Sequence, residues 1–530
     1  MNRSLLNATT LWDLLLQRAR LTPAAPMLIN AGDEATDGRT WSFSEVVVQV
    51  ERFAAALLRL GIQPGTQVTW QLSSRIETIF VSLALARLGA IQNPVIHLYG
   101  KKEVAIILKQ NRSAFYLIPA ACAGERDYRE LATVACSELD SPPQIITVDI
   151  HLGDADTAST VLPSPPSADN IARWIYYTSG TTSDPKGVCH TDASLIASGR
   201  ALASALAVKP EDIGSIVFPY AHVGGSMYAI VLLCVGMSAL VVPKFVAAEA
   251  MALFCRYGVT TSGGSTAHYQ AFLGEQRKQP DIPVTPRLSL LSGGGAPKPP
   301  ELFFQVQSEL HCRIAHSYGM TEAPMIAGAS PSHSDEQLAY SDGLPVEGVE
   351  IRIVRLDGSQ VDAGESGEIC VKGSTVFQGY TNAELTRVAF DADGFFHTGD
   401  LGMLRADGHL AITGRLKDVI IRKGENVSAR EIEDLLFSHA KVRAAAVIGL
   451  PDQERGERVC AVIELHDPKQ ALSFEEMIAY FKEAGMMRQK IPEQLEIVDL
   501  LPRNETFNKI LKFKLREQFS NVATSKQESV

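Results

Sequence analysis

Helical periodicities alternate with short β-branched runs along nearly all of this chain, and that alternation confines it to the α/β fold class. "WSFSEVVVQVERFAAALLRLGIQPG" spaces its apolar residues as a helix does and stops at a Gly/Pro turn, and "TQVTWQL" follows as a strand. "ETIFVSLALARLGAI" is a second helix ending at a glycine, and the N-terminal "TTLWDLLLQRAR" reads as an amphipathic helix. The apolar stretch Met227 to Val242 is interrupted by Gly236 and Ser238, which predicts a core helix plus a strand, not a membrane span.

With 530 residues, the chain is too long for one ordinary domain. Around residue 415 the texture changes. "LAITGRLKDVIIRKGENVSAREIEDLLFSHAKV" predicts strand, turn, strand and then a helix opened by a capping box, Ser428 with Glu431. The expectation is therefore a large N-terminal α/β domain, residues 1–415, and a small mobile α+β domain, 418–530, with a hinge at 416–417. A net charge of −11 without long Lys/Arg runs argues against a nucleic-acid or anionic-membrane binder. The eight cysteines form no C-x-x-C pair, which suits thiols in a reducing compartment; a cytoplasmic enzyme is expected.

Three strands run directly into glycine-rich or polar loops: "ARWIYYTSGTTSDPKG", "RLSLLSGGGAPKPPELF" and "HCRIAHSYGMTEAP". The first resembles a phosphate cradle in composition, since glycine frees backbone N–H groups and hydroxyls and one ammonium surround them. It is not a Walker loop, because Pro185 stands where the second glycine belongs and Gly187 follows Lys186. Ligands of open α/β sheets sit beyond the carboxyl ends of strands, so the three loops are expected to face one crevice.

Taken together, the motifs resemble those of the adenylate-forming enzymes, the group holding acyl-CoA synthetases, luciferases and peptide-synthetase adenylation domains. "TSGTTSDPKG", "GGAP" (294–297), "YGMTE" (318–322), "HTGDLG" (397–402), "GRLKD" (414–418) and the Lys509 segment occur in the family's order, from about Leu11 to Gln518. "NPVIHLYGKKEV" and "RKGENVSAREIEDLL" are similar to those of ligases for medium-chain or alicyclic acids.

The resemblance implies an ATP-dependent carboxylic acid–CoA ligase that forms acyl-AMP and pyrophosphate, then acyl-CoA and AMP. It implies ATP, Mg²⁺ and coenzyme A as cofactors or co-substrates, no nucleic-acid partner, and room for a homodimer. Thr178, Ser179, Gly180, Thr181, Thr182 and Lys186 would hold the β- and γ-phosphates. Gly295, Ala296 and Pro297 would lie along the adenine, with Ser317, Tyr318 and Gly319 beside it. Thr321 would bond the α-phosphate and Glu322 would coordinate Mg²⁺. Asp400 and Arg415 would take the ribose, Lys417 would be the hinge, Gly424 would border the pantetheine arm, and Lys509 would be the adenylation lysine, with Lys512 as runner-up. His222, Gly224, Gly225, Ser226, Gly263, Gly264 and Tyr318 would line the acyl pocket. So many small residues predict room for a medium-chain, alicyclic or otherwise bulky acid.

The sequence departs from the family at Ser183 and Asn508, both glycine positions there, and Pro502 lies one residue further from the lysine than usual. Two alternatives stay open: transfer of the acyl group to a carrier-protein thiol, and a nucleotide-binding member without turnover.

Overall fold

The computed structural model describes residues 6, 8–31, 38–120, 126–154, 160–178, 185–355, 357–362, 364–423, 425–503 and 510–520. Helix Phe43–Arg59 begins at Ser42, whose hydroxyl accepts from the Glu45 amide while the Glu45 carboxylate accepts from the Ser42 amide. The next helix, Ile76–Leu88, is apolar on every face because it is buried along its whole length, and it stops at Gly89 with φ +72°. The Met227–Val242 stretch divides as expected into helix Val223–Val235 and strand Ser238–Val241, with Gly236 (φ +89°) between them.

A seven-stranded sheet forms the middle of the large body. Strands Gln144–Val148, Phe115–Pro119, Gln67–Trp70, Ile91–Pro94 and Trp174–Thr178 run parallel. Strand Lys186–His190 then pairs antiparallel with Trp174–Thr178, and the short Gly379–Tyr380 adds antiparallel at the edge. Parallel strands buried under helices on both faces favour near-continuous apolar runs, and "FYLIP" supplies one. "TQVTWQL" does not, and its buried polar side chains are hydrogen-bonded inside the sheet, Thr69 donating to Asn93 and Tyr116 to Gln71. A second, three-stranded parallel sheet carries Thr261–Ser262, Leu290–Gly293 and Arg313–His316. Four antiparallel strands, ending in Phe396–Leu404 and Leu410–Arg415, close the large body.

Beyond the short turn Leu416–Asp418 the chain builds a separate five-stranded sheet with its own core, including Ile432, Val447, Ile463 and Phe481. A large α/β body and a small α+β unit are therefore both present. No helix among the described residues is long and apolar enough to cross a membrane.

Helix Ala429–Phe437 starts where the sequence places it, but the capping box is not formed. The Ser428 hydroxyl donates instead to the carbonyl of Thr413 at 2.8 Å, across the turn at 416–418. The polar loop expected after His316 is also shorter than the sequence suggests, since Tyr318–Met320 pairs as a strand with Ala323–Gly328. Gly319 makes that tight reversal feasible: a Cβ there would stand 2.2 Å from the Pro324 carbonyl oxygen.

Candidate active site

Two of the three glycine-rich loops leave the carboxyl ends of neighbouring parallel strands. Leu290–Gly293 and Arg313–His316 are paired in register, and the Ser317 amide donates to the Gly293 carbonyl at 2.8 Å. The backbones come so close that a Cβ on Gly294 would lie 2.5 Å from the Ser317 carbonyl oxygen, which explains glycine at that position. Both loops open onto a cleft of about 420 Å³, lined by Gly295, Ala296, Pro297, Ser317, Tyr318, Gly319, Asp400, Arg415 and Lys417 from the large body and the turn. Arg430, Glu433, Asp434, Arg503, Lys512 and Arg516 line it from the small unit.

Asp400 is nearly buried and is held on both sides. The Tyr318 hydroxyl donates to one oxygen at 2.9 Å, and Arg415 Nε pairs with the other at 2.7 Å. Asp400 and Arg415 are directly opposed on antiparallel strands, so register alone sets this pair. Burial and the neighbouring Asp400 raise the Tyr318 phenol well above its ordinary range, so it remains a donor.

Glu368, which motif reading missed, fixes the backbone on the other side of Asp400. One of its oxygens accepts from the Gly399 amide at 3.1 Å and the other from His397 Nδ1 at 2.9 Å. Glu368, Cys370 and His397 also gather metal-type ligand atoms, but the carboxylate is already engaged and burial pushes the Cys370 thiol up to about 12, against a thiolate. The cluster orders the turn before Asp400.

The first loop belongs to the other sheet. Thr178 and Lys186 face each other in register at the open end of the antiparallel pair. Ser179, Gly180, Thr181 and Thr182 lie outside the described residues, as do Ser183, Gly424, Asn508 and Lys509. Four positions along its strand from Lys186, fully buried His190 reaches the "YGMTE" segment: its Nε2 is 2.7 Å from the Thr321 carbonyl oxygen. Glu322 follows with only 7% of its surface exposed. Its carboxylate accepts from the Tyr380 hydroxyl at 2.9 Å, and Lys186 Nζ stands 5.4 Å above the centroid of the same ring. Burial raises the proton affinity of Glu322; the Tyr380 hydrogen bond and the Lys186 charge oppose that shift. A buried carboxylate offers the hard oxygen donors that Mg²⁺ takes, so Glu322 fits such a ligand.

His316 is a further residue the motifs did not single out. Its Nε2–H donates to the Ala296 carbonyl at 3.0 Å, and its Nδ1 is buried without a partner among the described residues. Burial lowers its pKa to about 4, so the ring is neutral. Lys417 sits in the Leu416–Asp418 turn with its pKa lowered, chiefly by burial and then by Arg415.

The expected acyl-pocket residues do not join this cleft, apart from Tyr318. Their smallness has another cause. A Cβ on Gly225 would lie 2.1 Å from the Tyr220 carbonyl oxygen, one on Gly263 2.8 Å from the Phe218 ring, and one on Gly264 2.9 Å from the His268 ring. Gly224 packs against His222, whose Nδ1 accepts from the Gly224 amide at 3.1 Å. The Ser226 side chain bonds the Tyr176 hydroxyl. At these positions the missing side chains make room for protein atoms, so their smallness is not by itself a measure of pocket volume.

Lys512 is paired within the small unit, 2.7 Å from Glu433, and Arg516 pairs with Asp418 at 3.0 Å.

The two-part architecture and the cleft between its parts agree with what comparison with known proteins shows. The family described as AMP-binding enzyme matches residues 15–381, and the AMP-binding enzyme C-terminal domain matches 431–508. The chain belongs to the AMP-binding, adenylate-forming enzyme family. It is 29% identical to a medium-chain fatty-acid–CoA ligase of Escherichia coli over 96% of this chain and 90% of that one. It is 32% identical to a salicyl-AMP ligase/salicyl-S-ArCP synthetase of Mycobacterium tuberculosis, covering 93% and 88%. Among solved structures, ATP-bound MatB from Rhodopseudomonas palustris superposes with a TM-score of 0.85 at 26% identity, covering 97% and 100%. The o-succinylbenzoate CoA synthetase of Bacillus subtilis with its acyl-adenylate intermediate gives 0.80 at 28%, covering 98% and 99%.

Proposed function

We propose that this chain is an ATP-dependent carboxylic acid–CoA ligase working through an acyl-AMP intermediate on a medium-chain, alicyclic or other bulky acid. The observation that carries the reaction class is the pairing of Asp400 with both Tyr318 and Arg415 in the lining of a nucleotide-sized cleft. The relatives of full length support it, including those named as acid–CoA ligases. The preference for bulky acids rests on the relatives and on sequence flavour, since the small residues near His222 are accounted for by packing.

In this proposal Asp400 and Arg415 hold the ribose, and Tyr318 with Gly295–Pro297 forms the adenine wall. Thr178, the following loop Ser179–Thr182 and Lys186 take the phosphates. Bound Mg²⁺ would supply charge neutralisation at the phosphates, held by Glu322. Positioning and charge neutralisation are the main catalytic demands of such a transfer. Rotation about Lys417 would exchange Lys509 for the Gly424 face between the two half-reactions, with the domain boundary at 416–417.

Pyrophosphate release with Mg²⁺ and ATP across a panel of linear, aromatic and alicyclic acids, with and without CoA, tests the reading. Lys509→Ala should cost about 3–4 kcal/mol of transition-state stabilisation in the first half-reaction. Lys512→Ala should retain that step, because Lys512 is engaged with Glu433. Full activity in Lys509→Ala would refute the lysine assignment. The relative named as a salicyl-S-ArCP synthetase favours a second reading, acyl transfer to a carrier-protein thiol. Turnover with carrier-linked pantetheine but not CoA would select it.

A further inference from the structure

We infer that Tyr380 is a positioning residue of the adenylation step, one side chain that sets both Glu322 and Lys186 before nucleotide arrives. The inference rests on the proposed reaction and adds a residue to it. Tyr380 is absent from every motif read above, and it reaches the site only because its two-residue strand docks on Lys186–His190, with Tyr380 opposite Val188.

The residue is clamped from behind. Its amide donates to Thr386 Oγ1 at 2.8 Å, and a Cβ on Gly379 would come within 2.6 Å of the Thr386 side chain. Phe377 stacks edge-on against the ring with centroids 4.9 Å apart, and the Phe377 amide donates to the Glu322 carbonyl at 2.8 Å. The phenol has little freedom to choose another partner. A carboxylate only accepts, so the hydroxyl donates to Glu322 Oε1, while the ring face lies under Lys186 Nζ. One clamped side chain therefore meets both the acidic group, through its hydroxyl, and the basic group, through its ring face. In a reaction limited by positioning, such preorganisation acts on the rate without touching the substrate.

Tyr380→Phe keeps the ring beneath Lys186 and removes only the donor. Loss of one hydrogen bond to a charged group is expected to slow acid-dependent pyrophosphate release roughly tenfold or more. Thioester formation from supplied acyl-AMP and CoA, which handles no β- or γ-phosphate, should change less than about threefold. Tyr380→Leu removes the ring as well and should raise the KM for ATP further. The readout independent of turnover is thermal stabilisation by ATP with and without Mg²⁺. Tyr380→Phe should lose most of the Mg²⁺-dependent increment and keep the shift given by AMP alone. Equal slowing of both half-reactions, or an unchanged Mg²⁺ increment, would overturn the inference and leave Tyr380 a packing residue. If wild-type protein releases no pyrophosphate with any acid, the proposed function fails, and the ATP and Mg²⁺ shifts still decide the role of Tyr380.

Discussion

The Nε2 of His190 lies 2.7 Å from the carbonyl oxygen of Thr321, 131 positions away. Because the carbonyl can only accept, Nε2 carries the proton. Burial lowers the ring's pKa to about 4, so Nδ1 is an acceptor and the Ser194 hydroxyl donates to it at 2.9 Å. Strand Lys186–His190 thereby fixes the turn holding Thr321 and Glu322. His190→Ala leaves that carbonyl unpaired beside a cavity and should cost about 1–3 kcal/mol from the unpaired group alone. Urea denaturation checks the stability, with pyrophosphate release measured alongside. An unshifted midpoint would show that the bond contributes nothing.

Tyr318 and Arg415 share Asp400 unequally. Tyr318→Phe removes a neutral donor and keeps the ring wall, so AMP affinity should fall by about 1 kcal/mol, roughly fivefold. Arg415→Ala leaves a nearly buried carboxylate without its cation, although Arg415 is itself about a third exposed, so roughly 2 kcal/mol or more of folding stability should be lost, more than in Tyr318→Phe. Urea denaturation of both variants, with calorimetric titration of AMP alongside, ranks the two partners, and equal stability losses would contradict the unequal roles.

The parts of this molecule that were legible in its sequence are those with local causes. Phe43–Arg59 and Ile76–Leu88 announce themselves by periodicity and by their stop signals, and the loops after Gly293 and His316 by glycine and polarity. His190, Glu368 and Tyr380 were not legible, because each acts on a residue that only the sheet register brings near. Ser428 shows the limit of a local rule: its capping box was available, yet a carbonyl across the Leu416–Asp418 turn competed for the hydroxyl. Gly225 and Gly263 show another, since a sequence reports a missing side chain and not the neighbour that fills its space.

Four desolvated imidazoles give the fold a defined acid limit. Burial lowers His190, His222, His268 and His316 to about 4, while an unfolded histidine titrates near 6.5. Their folded pKa values are depressed, so the neutral-ring stability is fully present above pH 6.5 and is lost as pH falls toward 4. Each contributes about 1.4 kcal/mol per pH unit across that window. Asp434 acts in the opposite sense: burial raises it to about 6, so its penalty at neutral pH eases below that value and offsets one group in part. Urea midpoints should therefore drop between about pH 7 and pH 5. A flat profile would mean that the imidazoles take up protons without unfolding.

Gly225→Ala separates packing from pocket volume. The residue lies in the first turn of helix Val223–Val235, where alanine is the better helix former by up to about 1 kcal/mol. Propensity alone predicts a more stable protein. The new Cβ would stand 2.1 Å from the Tyr220 carbonyl oxygen, and backbone cannot swing aside as a flexible side chain can. Overpacking of this kind costs about 1–3 kcal/mol, enough to reverse the propensity gain. Gly274, in helix Thr266–Gln276, meets nothing within 4 Å and is the control. Gly274→Ala should stabilise by about 0.5–1 kcal/mol. Thermal melts of both variants, with the acid panel repeated on Gly225→Ala, decide the matter. A lowered melting temperature with unchanged acid preference fits close packing. A stable protein with narrowed acid preference would return Gly225 to the acyl pocket.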